Sequence, residues 1–251
     1  MLRREYMVKM LEANARNRRD ALMDTASYGL SEAAGYLFVP VTTLRAWFLG
    51  QDYETPAGRR RFAPLLRIAQ RTPPLLSFLN LVEAHVLDAI RRQHGVTLQN
   101  VRKALSFLDR EGHLLSKHPL AERGFETDGL DLFTEHYGRL INVSREGQVM
   151  MRQVVAAYLR RVERDSRGIP IRLYPYTRHR EREEPMAVMI DPRVSFGRPV
   201  LVGTGIPTEI IAQRYKAGES IDELADDYGR QRQEIEEAIR YELQIQPGRA
   251  A

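Results

Sequence analysis

The stretch from Tyr28 to Trp47, YGLSEAAGYLFVPVTTLRAW, decides how the rest of the chain is read. Leu30, Ala33, Ala34 and Leu37 recur at helical spacing, with Ser31 placed to cap the helix and Glu32 just inside it. Phe38 and Val39 are apolar turn positions that would plug the angle between two helices. Pro40 stops the first helix, because it has no N–H and disfavours the helical region for Val39 before it. Thr42 to Trp47 then restarts as a second helix whose Leu44, Trp47 and Phe48 return to a core. That leaves Thr42, Thr43 and Arg45 outward at its start, where a helix-turn-helix reaches base edges and phosphates in the major groove. The same pattern also suits a helical hairpin that merely packs.

The segment after Trp47 favours DNA. Gly58 is followed by Arg59, Arg60, Arg61 and Phe62, the composition of a small wing beside a recognition helix. Arginines there can take phosphates or enter the minor groove. A solvated basic turn is the alternative. This portion resembles the winged-helix head of the MerR family, carried here by Glu32 with Ala34, by Thr43-Leu44-Arg45 and by Arg60-Arg61-Phe62. The effector-binding cysteines of metal- and redox-sensing members have no counterpart, since the chain has no cysteine.

Composition bounds the rest. The 251 residues suffice for one large or two ordinary domains, and 43% hydrophobic with 28% charged residues is a globular composition. No run approaches 18 apolar residues and the N-terminus lacks a secretory pattern, so neither a membrane span nor a signal is expected. The absence of cysteine excludes thiolate sites and fits a cytoplasmic protein. Of the 38 Lys and Arg and 33 Asp and Glu, residues 186–251 hold 8 and 11. The positive excess therefore lies in the long N-terminal part, which suits a polyanion, while the C-terminal part does not.

In chain order, residues 1–24 are a lead-in helix or basic arm. Phe78 to Ile90 carries a full amphipathic stripe, and Thr97 caps a second helix facing inward with Leu98, Val101, Ala104, Leu105 and Leu108. Between 124 and 144, turn glycines and short alternating runs predict a small β-hairpin. Ser144 caps a long helix with Met151, Val154, Val155, Tyr158, Leu159 and Val162 on one face, to be buried within the chain or used as a dimer seam. Residues 169–176 read as a strand, and the charged run that follows marks residues 177–185 as an exposed hinge. Residues 25–176 are thus expected to form a DNA-binding and dimerisation domain, and 186–251 a second domain.

The second domain shows two short strands, at 186–190 and 200–202, and three helices from Thr208, Ile221 and Gln231, with Ile210, Ile211, Leu224, Ala225, Ile235, Ala238 and Ile239 inward. The fold class expected is therefore mainly α: a winged helix-turn-helix with a helical extension and a small hairpin, then a small domain of short strands and a three-helix helix-turn-helix. Gly203 and Gly205 lack the Lys-Ser/Thr of a phosphate loop and fit a tight turn better. The last helix carries Glu234, Glu236, Glu237 and Glu242, which DNA would repel, so protein contact is the preferred reading there. The candidate partner-binding residues, taken as lying off the apolar face, are Asp226, Arg232, Glu236, Arg240 and Glu242.

The segment IDPRVSFGRPVLVGTGIPTEIIAQRYKAGESIDELADDYG resembles a widespread prokaryotic antitoxin-like domain. The resemblance rests on Asp191-Pro192, Gly197-x-Pro199, Gly203-Thr204-x-Ile206-Pro207, Gly218-Glu219-Ser220 and the Glu223 to Tyr228 helix, with Gly205 where many members have Arg. Together the two parts resemble the larger VapB-type antitoxins. That resemblance implies operator DNA and a PIN-like ribonuclease toxin as partners, and repression of the chain's own operon. Palindromic operators call for two-fold proteins, so a homodimer is expected. A stand-alone regulator with a ligand-sensing or oligomerising C-terminal domain is the runner-up, and an adaptor that binds no DNA is a further alternative. The six histidines, His85, His94, His113, His118, His136 and His179, are dispersed and no nucleophile motif appears. No catalysis, metal or cofactor is therefore expected.

Overall fold

Phe38 stands at a sharp corner. Its backbone is left-handed (φ 52°), so Phe38 and Val39 N–H turn back onto the carbonyls of Gly35 and Ala34 and end the first helix in place of a glycine. The side chains on either side of this corner are apolar and buried, which offsets the strain of the turn. The computed structural model describes residues 21–56, 58–91, 97–111, 117–141, 144–176 and 185–245. The lead-in segment 1–20 and the charged run 177–184 lie outside them, as do His94, Gly95, His113 and His179.

The chain is mainly helical, with four two-stranded sheets among the described residues. Strand β1 (Tyr28–Gly29) leads into α1 (Leu30–Leu37), and α2 (Val41–Leu49) follows the corner. Strands β2 (Gln51–Thr55) and β3 (Gly58–Phe62) form the wing, and β4 (Leu75–Leu76) returns to pair antiparallel with β1. Helices α3 (Phe78–Arg91), α4 (Leu98–Arg110), α5 (Leu130–Ile141) and α6 (Arg145–Leu159) make the helical extension. Strands β5 (Val162–Arg164) and β6 (Pro170–Leu173) pair as a hairpin. Strands β7 (Val188–Met189) and β8 (Val200–Leu201) pair likewise, and α7 (Thr208–Lys216), α8 (Ile221–Tyr228) and α9 (Arg232–Ile245) complete the chain.

Several local expectations hold for the reasons given. Thr97 and Ser144 side chains accept the N–H of Asn100 and Gly147, each at 3.2 Å, and start α4 and α6. The structure adds a further cap: Ser220 and Glu223 cap α8 reciprocally, and left-handed Gly229 ends it. The cap of α1 differs. Gly29 is the N-cap, Ser31 lies exposed inside the helix, and Glu32 reaches back to the Gly29 N–H at 3.2 Å.

The expected hairpin between 124 and 144 is instead helical. A π-turn over Phe125–Gly129 runs directly into α5. Phe125, Leu130, Phe133 and Tyr137 lie buried on one side, and the rings of Phe125, Phe133 and Tyr137 pack in succession at centroid distances of 5.7 Å. Helical spacing of aromatics outweighed the turn glycines. Gly129 leaves room for the Gly124 carbonyl, which would lie 2.9 Å from a Cβ, and the Gln148 side chain lies over Gly138.

The apolar faces of α3 and α6 bury one another inside the chain. His85 on α3 is buried, and its Nε2–H donates to the Tyr158 carbonyl at 3.1 Å. Burial pushes that imidazole down to about 3, so it is neutral at ordinary pH. Of the two uses open to the face of α6, burial within the chain is the one seen, and Val162 belongs to β5 rather than to the helix. Val149 and Met150 on α6 remain exposed.

The C-terminal part packs onto the head. Val188, Ile190, Tyr241 and Ile245 belong to the same buried cluster as α1, α2 and α3. Leu173 and Ile190 exchange backbone hydrogen bonds at 3.0 and 2.8 Å across the charged run. Buried Arg161 donates to the carbonyls of Tyr174, Pro175 and Pro185, and so clasps both ends of that run. The residues on either side of the charged run are thus packed together, while residues 177–184 of the expected hinge lie outside the described ones. A smaller cluster of Leu201, Ile211, Leu224, Ala225, Ile235, Ala238 and Ile239 centres the last three helices, while Ile210, expected inward, is exposed.

Candidate nucleic-acid interface

The second helix of the pair, α2, is anchored from below. Leu44, Trp47 and Phe48 are almost completely buried, each worth roughly 1.5–3 kcal/mol of transfer free energy. Leu65 and Leu66 N–H both donate to the Trp47 carbonyl, at 2.8 and 3.1 Å, and pin the chain where it returns from the wing. With that face fixed, Thr42 and Arg45 are exposed and Thr43 is half-buried, at the end of the helix where Pro40 is the N-cap. Arg45 makes no side-chain hydrogen bond or ion pair among the described residues, so its fork is available to an outside acceptor.

The wing follows at once. Gln51 pairs with Phe62, Asp52 with Arg61, Tyr53 with Arg60 and Glu54 with Arg59. Alternation along the strands then sorts the three arginines. Arg60 shares a face with Tyr53 and Phe62, while Arg59 and Arg61 share the other with Asp52 and Glu54. Arg59 pairs with Asp52 at 2.8 Å, and Arg61 donates to the Leu49 carbonyl at 3.3 Å. Arg60, like Arg45, has no side-chain partner among the described residues. The basic run is therefore divided: one arginine free, one paired, one tied to the end of the recognition helix.

Arg102 on α4 was not singled out from the sequence. It donates to the carbonyls of Ala63 and Pro64, the latter at 3.1 Å, and lies over the Phe62 ring at 4.8 Å. It fixes the base of the wing against the helical extension. Nothing local marks it, because its partners are backbone groups 38 and 39 residues away. Gly50 permits the junction. Its φ is 81°, and a Cβ there would meet the Phe62 carbonyl at 2.4 Å.

The first helix of the pair is held by the C-terminal part. Tyr241 hydroxyl donates to the Tyr36 carbonyl at 3.0 Å, and the Tyr241 ring meets Phe38 edge-on at 5.3 Å. A Cβ on Gly35 would touch Ile245 at 3.0 Å, so α9 lies directly on α1. Tyr36 in turn donates to Glu32 at 2.8 Å, and burial with that carboxylate pushes its phenol well above the usual range.

The partner-binding candidates divide as well. Asp226 is exposed, Arg232 pairs with Asp222 and with Glu236, and Arg240 pairs with buried Glu237. Glu242 does not belong with them. It is 6% exposed and accepts the Thr208 hydroxyl at 2.6 Å, because α9 buries that side against the start of α7. Of the four glutamates expected to face outward from α9, Glu237 and Glu242 are buried, and Glu234 and Glu236 are half-buried and paired with Arg230 and Arg232. No group of His, Asp and Glu able to hold a metal ion occurs among the described residues, and no described helix is long and apolar enough to cross a membrane.

Residues 26–105 match a family described as "Putative DNA-binding HTH domain", and residues 188–241 match one described as "Protein of unknown function (DUF433)". The chain is 30% identical over 235 residues to "Putative antitoxin VapB45" of Mycobacterium tuberculosis, spanning 86% of this chain and 93% of that protein. It is 25% identical over 240 residues to "Uncharacterized protein Rv2308" of the same organism, spanning 88% and 92%. The crystal structure of Rv2018 from Mycobacterium tuberculosis shares the fold, with a TM-score of 0.61 at 24% identity over 86% of this chain and 98% of that one.

Proposed function

The chain belongs to the family of the antitoxin relative VapB45, and from that premise we propose that it is a type II antitoxin that represses its own operon. The observation that carries the DNA half is the pair of arginines with no side-chain partner among the described residues, Arg45 on the recognition helix and Arg60 on the wing. In a MerR-like docking, α2 enters the major groove with Thr42, Thr43 and Arg45 leading, and Arg60 meets a flanking phosphate or minor groove. Arg59 and Arg61 add charge to the same approach, although Asp52 cancels part of it. A homodimer would place two such heads on a palindromic operator.

In this reading the C-terminal part binds a PIN-like ribonuclease toxin. Asp226, Arg232, Glu236 and Arg240 are its outward candidates. Because α9 rests on α1, toxin bound to the last helices would act on a head whose position is already set, and would add affinity by tethering two antitoxins rather than by moving a hinge. The test is a gel shift on the chain's own promoter, with and without the product of the adjacent open reading frame. Binding that is lost in Arg45→Ala supports the reading.

A further inference from the structure

Phe196 is 95% exposed, and no other described large apolar side chain is exposed as far. It sits on a backbone that ordinary residues avoid. Ser195, Phe196 and Gly197 are consecutively left-handed, with φ of 46°, 58° and 75°. A single left-handed residue other than Gly, Asn or Asp is uncommon, and two in succession store strain that the surroundings must hold. They do hold it. Ser195 hydroxyl donates to the Gly205 carbonyl at 2.7 Å, and the Gly197 and Arg198 N–H close tight turns onto Val194 and Ser195. Gly197 is wedged against the head, where a Cβ would meet the Tyr28 hydroxyl at 2.1 Å. The ring is therefore a fixed knob, not a side chain that failed to find a core.

Charge around the knob says what it fits. Between Pro192 and Arg198 the charged residues are Arg193 and Arg198, both exposed, with no carboxylate. The preceding Asp191 is 1% exposed, and its carboxylate is taken by Arg193 at 2.6 Å and Arg172 at 3.1 Å. Arg198 has no side-chain partner among the described residues. The Gly203-Thr204-Gly205 turn, which the sequence offered as a glycine pair without a phosphate-loop lysine, links this loop to Arg230, whose guanidinium lies 3.7 Å from a Cβ built on Gly203. Arg230 is itself paired with Glu234, and Arg193 with Asp191, so the charge left uncompensated beside the ring is that of Arg198.

We propose that the Phe196 loop is a preorganised protein-docking knob, whose ring enters an apolar pocket bordered by carboxylates on the toxin. An exposed aromatic flanked by Arg, rigid before binding, has the makeup of an interface hot spot and loses little entropy on association. The inference rests on the antitoxin reading and names a different surface from the outer face of α9.

The test uses the full chain, with the purified product of the adjacent open reading frame as probe in calorimetric titration. Phe196→Gly relieves the left-handed strain, so its unfolding midpoint stays level or rises while affinity for the probe falls at least tenfold. Arg198→Glu weakens binding and reduces its salt dependence, and Phe196→Tyr keeps most of the affinity. Promoter binding by each variant alone is unchanged. Wild-type affinity in Phe196→Gly overturns the knob and leaves the antitoxin reading standing. No binding of the probe by the wild type overturns both.

Discussion

The Tyr241 hydroxyl donates to the Tyr36 carbonyl across 205 residues of sequence, so the last helix of the chain caps the first helix of the helix-turn-helix. Both groups are buried, and the Tyr241 phenol is held far above its usual range by burial and by nearby Glu242. Tyr241→Phe should cost about 1 kcal/mol of stability, with the Tyr36 carbonyl left unpaired adding to that if no water enters. Tyr241→Ala should cost about 3–5 kcal/mol through the lost ring volume. Urea unfolding measures both, and a loss well under 1 kcal/mol for the alanine variant would remove the coupling.

The same contact predicts the fate of a truncated chain. Residues 1–176 lack Val188, Ile190, Tyr241 and Ile245, which complete the main core. The fragment should unfold at lower denaturant than the whole chain and bind an apolar dye, because the α1 surface under α9 is uncovered. A fragment as stable as the full chain would mean the two parts fold independently.

On DNA, the division of the wing arginines gives an order. Arg45→Ala should cost roughly 1–3 kcal/mol on a specific site if the side chain reads a guanine, and relax preference at that position. Arg60→Ala should weaken binding to all sequences and lower the salt slope by about one. Arg59→Ala should do less, since Asp52 already holds its charge. Affinity titrations over a range of salt concentrations would show this, and equal effects from Arg59 and Arg60 would count against the assigned faces.

Much of this was legible before the fold. The helix-turn-helix, the wing, the Thr97 and Ser144 caps and the strand pair at 188 and 200 follow from local chemistry at short range. Residues 124–144 read as a hairpin because glycines usually punctuate, whereas here they accommodate close neighbours on a helix whose aromatics sit on one face. Glu242 and Ile210 were misplaced for a related reason: periodicity gives a stripe, but not which edge of it another element covers. The docking of α9 on α1 had no local signal at all, nor did Arg102, whose partners are carbonyls.

Stability should also depend on pH. His118 lies between Glu83 on α3, at 2.9 Å, and Asp24, at 3.0 Å. Burial opposes the imidazolium, but the hydrogen bonds and charge of the two carboxylates outweigh it, so the folded pKa is raised above the ordinary 6.5. A raised histidine contributes stability that is fully present below the unfolded value and is lost as pH rises through the folded one. Resistance of the wild type to denaturant should therefore fall from about pH 6 upward through this transition. His118→Gln should flatten that dependence. An unchanged pH profile in the variant would place the transition elsewhere.

The most direct measurement of the central claim is a gel shift of the intact chain on its own promoter, at low salt, repeated with the adjacent open reading frame's product. The account predicts a specific complex that Arg45→Ala weakens, and a tighter, slower complex when that product is added. Absence of any specific complex, with the chain alone and with the product present, would contradict it.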